Sequence, residues 1–210
     1  MIDKAFIDSH IDKLTDCVNK ASKEIINVYE GDDFGHIEKS DGSPLTIADK
    51  NANQVILDDL KSISSDISII SEETFENNQL KNLDKTYWLV DPLDGTKEFI
   101  NKTDEFTVNI ALIDNKQAIF GIVAAPVTGK VWYGSVFDKN ITEEGSVDKI
   151  RIVMSKSHKS ENDKAFLEFI DSKNINYEII EKGSSLKLCS LADNEADIYP
   201  RFGPTSEWDI

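Results

Sequence analysis

The run Trp88-Leu89-Val90-Asp91-Pro92-Leu93-Asp94-Gly95-Thr96-Lys97-Glu98-Phe99 constrains this chain more than any other stretch. An apolar strand runs into two acidic residues three positions apart, then turns at a glycine into a threonine. Burying Leu89 and Val90 drives the carboxylates of Asp91 and Asp94 to the strand terminus. Close carboxylates can share divalent cations, and hard oxygen donors suit magnesium or manganese better than zinc. Pro92 has no N–H and fixes the turn, which leaves the Leu93 carbonyl to face a cation. Gly95 and Thr96 add backbone N–H groups and a hydroxyl for a phosphate. A solvated turn or a helix N-cap accounts for either acid alone. The six residues together point to metal-assisted phosphate chemistry.

Composition narrows the function class. With 23 basic and 39 acidic side chains the net charge is −16, which excludes binding to a nucleic-acid backbone through a general positive field. Most of that acid is solvated surface. Near a site it would repel a small polyanion unless cations intervene, and bound divalent metal would neutralise it. The 210 residues can bury a sizeable core as one large domain or two small ones. No stretch approaches the roughly 20 apolar residues of a membrane span. The start, Met1-Ile2-Asp3-Lys4, has no signal-peptide core. Cys17 and Cys189 lack metal-type spacing and read as reduced core thiols, so a cytoplasmic location is expected.

Periodicity predicts the elements. Ile7, Ile11, Leu14, Val18, Ala21, Ile25 and Val28 form the stripe of one long amphipathic helix. Residues 31–42 read as a loop or short irregular hairpin, and a second helix starts near Thr46 and runs through Leu60. Ile67–Ile70 is a short strand ending at Ser71-Glu72-Glu73. Tyr87–Val90, Phe106–Ile113, Ala118–Ala124 and Lys130–Val136 then form an antiparallel meander. A domain boundary is placed within or just after residues 138–148, giving a 1–148 α+β metal- and phosphate-binding domain and a 149–210 α/β substrate domain. The latter alternates strand and helix: Ile150–Met154, Asp163–Ile170, Tyr177–Ile180, Ser185–Leu191 and Ile198–Phe202.

Further acids end neighbouring segments: Glu72 after one strand, and Asp209 in Ser206-Glu207-Trp208-Asp209. Strand termini converge on one sheet edge despite wide sequence separation. In the second half Ser184 and Lys187 share a helical face if a helix starts at Gly183. Lys187 and Arg201 are rare cations in this acidic chain, and His158 lies in the same half. A surface lysine and a capping histidine are the plainer alternatives.

The chain resembles the inositol monophosphatase superfamily of magnesium-dependent, lithium-sensitive phosphatases, and within it the CysQ-type 3′(2′),5′-bisphosphate nucleotidases. The resemblance is carried by residues 39–49 (Lys-Ser-Asp-Gly-Ser-Pro-Leu-Thr-Ile-Ala-Asp), Ser71-Glu72-Glu73, residues 88–100 and Glu105-Phe106-Thr107-Val108-Asn109-Ile110. It continues through Ser155-Lys156-Ser157-His158, Gly183-Ser184-Ser185-Leu186-Lys187 and residues 199–209. It implies a layered αβαβα sandwich. It implies Glu72, Asp91, the Leu93 carbonyl, Asp94 and Asp209 as ligands of two or more Mg²⁺ ions (or Mn²⁺), with Asp91 bridging two of them. Gly95 and Thr96 would hold the departing phosphate at the start of a helix; Glu72 and Thr96 would orient the attacking water; Asp49 would be a further acid near the metals. His158, Ser184, Lys187 and Arg201, with Asp209, would bind the nucleotide.

The activity so implied is conversion of adenosine 3′,5′-bisphosphate to AMP and phosphate, a clearing step of sulfate assimilation. The partner is a small bisphosphorylated nucleotide, and oligomeric state is left open, as is peripheral attachment to the cytoplasmic face of the inner membrane. The second enzymatic reading is an inositol-phosphate phosphatase. Relatives continue after Trp-Asp with a small-residue segment and further strands, whereas this sequence ends at Ile210. The expectation is a chain with the last part of the fold missing and Asp209 frayed. A reading of another class follows from it: an inactive, truncated metal-binding fragment.

Overall fold

The apolar stripe of the first helix is buried as its spacing requires. In α1 (Lys4–Tyr29), Ile7, Leu14, Val18, Ala21 and Ile25 lie inward, and Asp3 caps the N-terminus by accepting from the Phe6 N–H at 2.9 Å. The computed structural model describes residues 2–31, 34–35, 37–38, 44–76, 84–138, 148–156 and 160–209. Two short strands, β1 (Ile37–Glu38) and β2 (Pro44–Leu45), pair antiparallel before the second helix. That helix, α2 (Ile47–Ile63), begins in a capping box: the Asp49 carboxylate accepts the Thr46 N–H at 2.7 Å while the Thr46 hydroxyl accepts from Ala48.

Both helices pack on one face of a five-stranded sheet ordered β3 (Ser68–Ser71), β4 (Thr86–Asp94), β5 (Thr107–Asp114), β6 (Gln117–Ala125) and β7 (Lys130–Ser135). β3 runs parallel to β4, and the remaining pairs are antiparallel. Alternation sorts the side chains. Trp88, Val90, Val108, Ile110, Leu112 and Ile122 face the helices, and burial of each contributes about 1.5–3 kcal/mol. Leu89, Ile70 and Ile113 face the other way and pack with Phe75 and Trp208. After β4 comes α3 (Thr96–Ile100), a single short turn.

The second half builds a parallel pair, β8 (Ile150–Ser155) and β9 (Tyr177–Lys182), joined by the crossover helix α4 (Glu161–Ser172). Helix α5 (Leu186–Ala192) touches β8, and its Leu188 shares a cavity wall with Asn109, Gly121 and Val123 of the large sheet. The layers therefore run helices α1 and α2, large sheet, α5, small sheet, α4, a mixed α/β architecture as the sequence predicts. Among the described residues no helix is long and apolar enough to cross a membrane.

Several boundaries differ from the sequence reading. β4 does not stop at Val90 but continues to Asp94. Ile198–Phe202 forms no strand; only Ile198 bridges Ile152, because Pro200 lacks the N–H that would extend the ladder. α5 begins at Leu186, so Ser184 lies outside it in a left-handed turn (φ 45°) and does not share a helical face with Lys187. The expected domain boundary falls largely on residues 139–147, outside the described residues. His158 and residues 39–43 of the resembling segment also lie outside them.

Candidate metal and phosphate site

On a regular strand, residues three apart point to opposite faces. Asp91 and Asp94 escape that rule through a bulge. Asp91 pairs with Asn109 and Asp94 with Thr107, so three steps on β4 match two on β5. The extra residue turns both carboxylates to the sheet face away from α1 and α2. Pro92 sits within the bulge, where a missing N–H breaks no ladder bond. The Leu93 N–H donates back to Asp91 Oδ1 at 3.1 Å.

Asp209 reaches the same point from the far end of the chain. Glu207–Asp209 form a 3₁₀ turn in which Asp209 Oδ2 accepts from the Ser206 N–H at 3.0 Å. Trp208 anchors the turn by packing on Phe75, ring centroids 5.5 Å apart, over the second apolar face of the sheet. The expectation of a frayed Asp209 is thus corrected: an aromatic contact that periodicity does not show seats it. Carboxylate oxygens of Asp91, Asp94 and Asp209 lie within 4.8 Å of one another. Glu72 opens a 3₁₀ turn one residue past the Ser71–Val90 pair of β3 and β4, near enough for its charge to act on both Asp91 and Asp209.

The electrostatics show what this cluster lacks. Burial, then Asp94, Glu72 and Asp209, push the Asp91 carboxyl well above the ordinary carboxylate range. Burial and Asp209 push Asp94 up to about 7, against the opposing pull of Lys187 and the Ser185 N–H. Asp209 is raised by burial and by Glu72. Two carboxylates at such a distance repel by about 3 kcal/mol at an effective dielectric near 20. Three of them converging is unfavourable unless a cation is shared, and an all-oxygen donor set fits a hard divalent ion.

Thr96, Asp49 and Leu93 meet on one flank. The Thr96 hydroxyl lies 3.2 Å from the Leu93 carbonyl and 3.3 Å from Asp49 Oδ1. The buried Asp49 also accepts from the Thr46 N–H and hydroxyl, so it serves the α2 cap as well. Gly95 adopts φ 90°, and a Cβ there would come within 3.0 Å of the Glu105 carbonyl and 3.1 Å of Ser184 Cβ. Only glycine fits. Because α3 is five residues long, what Gly95 and Thr96 offer an anion is local N–H groups rather than a helix macrodipole.

A cavity of about 420 Å³ joins Asp94, Gly95 and Asp209 to Ser184, Lys187 and Arg201. Lys187 is 7% exposed; its ammonium donates to the Ser184 carbonyl at 2.6 Å and sits 5.8 Å from the centre of the Tyr199 ring. Burial, then Arg201, lower its pKa while Asp94 opposes. Arg201 is exposed and held by Thr205 Oγ1 at 2.8 Å and the Pro204 carbonyl at 2.7 Å. Sequence reasoning missed Ser155, Tyr199 and Thr205 on this wall. Tyr199 had a signal, an aromatic two residues before the cation Arg201 and next to Pro200. It missed Glu105 too, which accepts from Lys156 Nζ at 2.7 Å and the Gly183 N–H at 2.9 Å and so joins the two halves.

The raised carboxyl groups predict how the metal-free protein responds to pH. A group whose pKa rises on folding stabilises below its unfolded value and loses that contribution as pH climbs through the folded one. For Asp94 the window runs from 3.8 to about 7. The lowered carboxyls of Asp138, Asp193 and Asp197 titrate below that window and do not oppose it. In a chelator, Tm should fall by on the order of 5 °C between pH 5 and pH 7.5. Asp94→Asn or millimolar Mg²⁺ should flatten the slope. A Tm that rises across the window in the chelated protein would contradict it.

Comparison with known proteins bears on the whole chain. The profile of the "Inositol monophosphatase family" matches residues 9–210. The 3′(2′),5′-bisphosphate nucleotidase CysQ of Shigella flexneri is 40% identical over 209 residues, 95% of this chain and 83% of that protein. CysQ of Buchnera aphidicola is 41% identical over 210 residues, 95% of this chain and 77% of that protein. The crystal structure of CysQ from Bacteroides thetaiotaomicron superposes with a TM-score of 0.79 at 33% identity, covering 95% of this chain and 83% of that one. With its sheet order, its acidic bulge and a match along nearly its full length, this chain belongs to the inositol monophosphatase family.

Proposed function

We propose that the chain is a Mg²⁺-dependent phosphomonoesterase acting as a 3′(2′),5′-bisphosphate nucleotidase, converting adenosine 3′,5′-bisphosphate to AMP and phosphate. The observation that carries it is one cavity lined both by Asp94 and Asp209, two of the three clustered carboxylates, and by the buried Lys187 with Arg201. About 40% identity to CysQ nucleotidases supports the same substrate class. Two Mg²⁺ ions, when bound, supply Lewis-acid polarisation of the phosphate and a water acidified toward neutral pH.

The chain's own residues do the rest. Asp91, on whose charge Asp94, Glu72 and Asp209 all act, would hold the ions together with those three carboxylates. The Leu93 carbonyl already accepts from Thr96 but keeps a second lone pair for a cation. The Thr96 hydroxyl proton faces Leu93 and Asp49, which leaves its oxygen lone pairs to accept a hydrogen bond from the attacking water and orient it. Gly95, without a Cβ, lets phosphoryl oxygens approach the backbone N–H groups. Lys187 and Arg201 hold the phosphate that stays, fixing the substrate so that attack is in line.

Inositol-phosphate hydrolysis is the second reading, since the metal residues would serve it equally. The two cations that line the same cavity favour a substrate with two phosphates. Phosphate release from adenosine 3′,5′-bisphosphate and from inositol 1-phosphate, side by side with Mg²⁺, decides between them. Faster release from the inositol ester would overturn the nucleotide assignment, and no release from either would overturn the enzyme.

A further inference from the structure

We propose that Thr107, Asn109 and Ser185 form a positioning relay that fixes Asp94 for its cation, tying the substrate-binding helix to the metal cluster. The inference rests on the metal reading above. Thr107 and Asn109 are the polar positions of β5 that pair with Asp94 and Asp91 across the bulge, on the same sheet face. Both are buried. Ser185, the residue that opens α5, inserts between them. Its Oγ donates to Asn109 Oδ1 at 2.9 Å and lies 2.7 Å from Thr107 Oγ1. A serine hydroxyl has one proton. With that proton given to Asn109, Thr107 must donate to Ser185, and the chain runs Thr107 to Ser185 to Asn109.

The purpose of holding Ser185 appears at its backbone. The Ser185 N–H donates to Asp94 Oδ2 at 2.5 Å. That bond fixes one oxygen of a carboxylate that lies within 4.8 Å of Asp91 and Asp209. Two residues later the same segment carries Lys187. One element therefore sets a metal ligand with its first N–H and meets the substrate with its first turn. A second observation marks the relay as part of the site rather than ordinary core. Asn109 Nδ2 is buried with no partner among the described residues. It borders a cavity of about 90 Å³ whose wall includes Trp208 and Asp209.

Groups that hold metal ligands by hydrogen bonds typically change metal affinity 10–100-fold when removed. Mn²⁺ binding, counted by electron paramagnetic resonance, reports this without turnover. Ser185→Ala and Thr107→Val should weaken Mn²⁺ binding by about tenfold. Thr107→Ser, which keeps the hydroxyl, should bind as the wild type does. If Thr107→Val does not fold, Ser185→Ala carries the test, since it deletes one hydroxyl and keeps the N–H. A purely structural role would lower the metal-free Tm and leave the Mn²⁺ dissociation constant within twofold, and that result overturns the relay while the metal reading stands. If the wild type itself binds no Mn²⁺, both fall.

Discussion

Replacing Asp91 with asparagine should lower phosphate release by at least about 10³-fold and, at the same time, raise the stability of the metal-free protein. The two effects share one cause. Asp91 is 2% exposed and its charge is opposed by burial and by three neighbouring carboxylates. Asparagine removes that charge, so the repulsion within the cluster is relieved. It keeps an Oδ1 that can still accept the Leu93 N–H, so the bulge is preserved. What it cannot do is neutralise a shared divalent ion. Mg²⁺ stabilises the folded state in proportion to the logarithm of its concentration over the dissociation constant. Thermal melts should therefore show a higher Tm than wild type in chelator and little response to added Mg²⁺. A variant that gained as much Tm from Mg²⁺ as the wild type would refute the role of Asp91 as the shared ligand.

Local signals were legible and long-range seats were not. The steps of three and four in α1 and the helix start expected near Thr46 place both helices to within a few residues. The short apolar runs gave the strands of the large sheet, because each must bury one face against α1 and α2. The sequence reading ends the strand at Val90 and gives Pro92 to the turn beyond it, whereas Pro92 marks a bulge within the strand. The distinction decides whether Asp91 and Asp94 share a face, and only the register with β5 reveals it. Asp209 has no local signal for its position, since its seat comes from Trp208 meeting Phe75 across more than a hundred residues. Ser185 was read as the first residue of a helix. Its bonds to Thr107, Asn109 and Asp94 depend on how two sheets stack, and sequence spacing carries no information about that.

Lys187→Met should separate substrate recognition from metal chemistry. Methionine matches the length and apolar stem of lysine but brings no charge to the cavity. A buried charged hydrogen bond lost from one side costs about 2–5 kcal/mol, so KM for adenosine 3′,5′-bisphosphate should rise about 100-fold. Inositol 1-phosphate has no second phosphate for Lys187 to hold, and its KM should move far less. A second consequence follows from the sign of the coupling between Lys187 and Asp94. Lys187 pulls the Asp94 pKa down. Without it Asp94 takes up a proton more readily near neutral pH, and a cation must compete with that proton. The Mg²⁺ concentration for half-maximal activity should therefore be higher than wild type at pH 7, with the difference shrinking by pH 8.5. Arg201→Met should share the KM effect and show less of the Mg²⁺ effect, because Lys187 is the leading cation acting on Asp94. Equal losses on both substrates, with no pH-dependent change in Mg²⁺ demand, would mean that Lys187 supports the fold of α5 rather than the second phosphate.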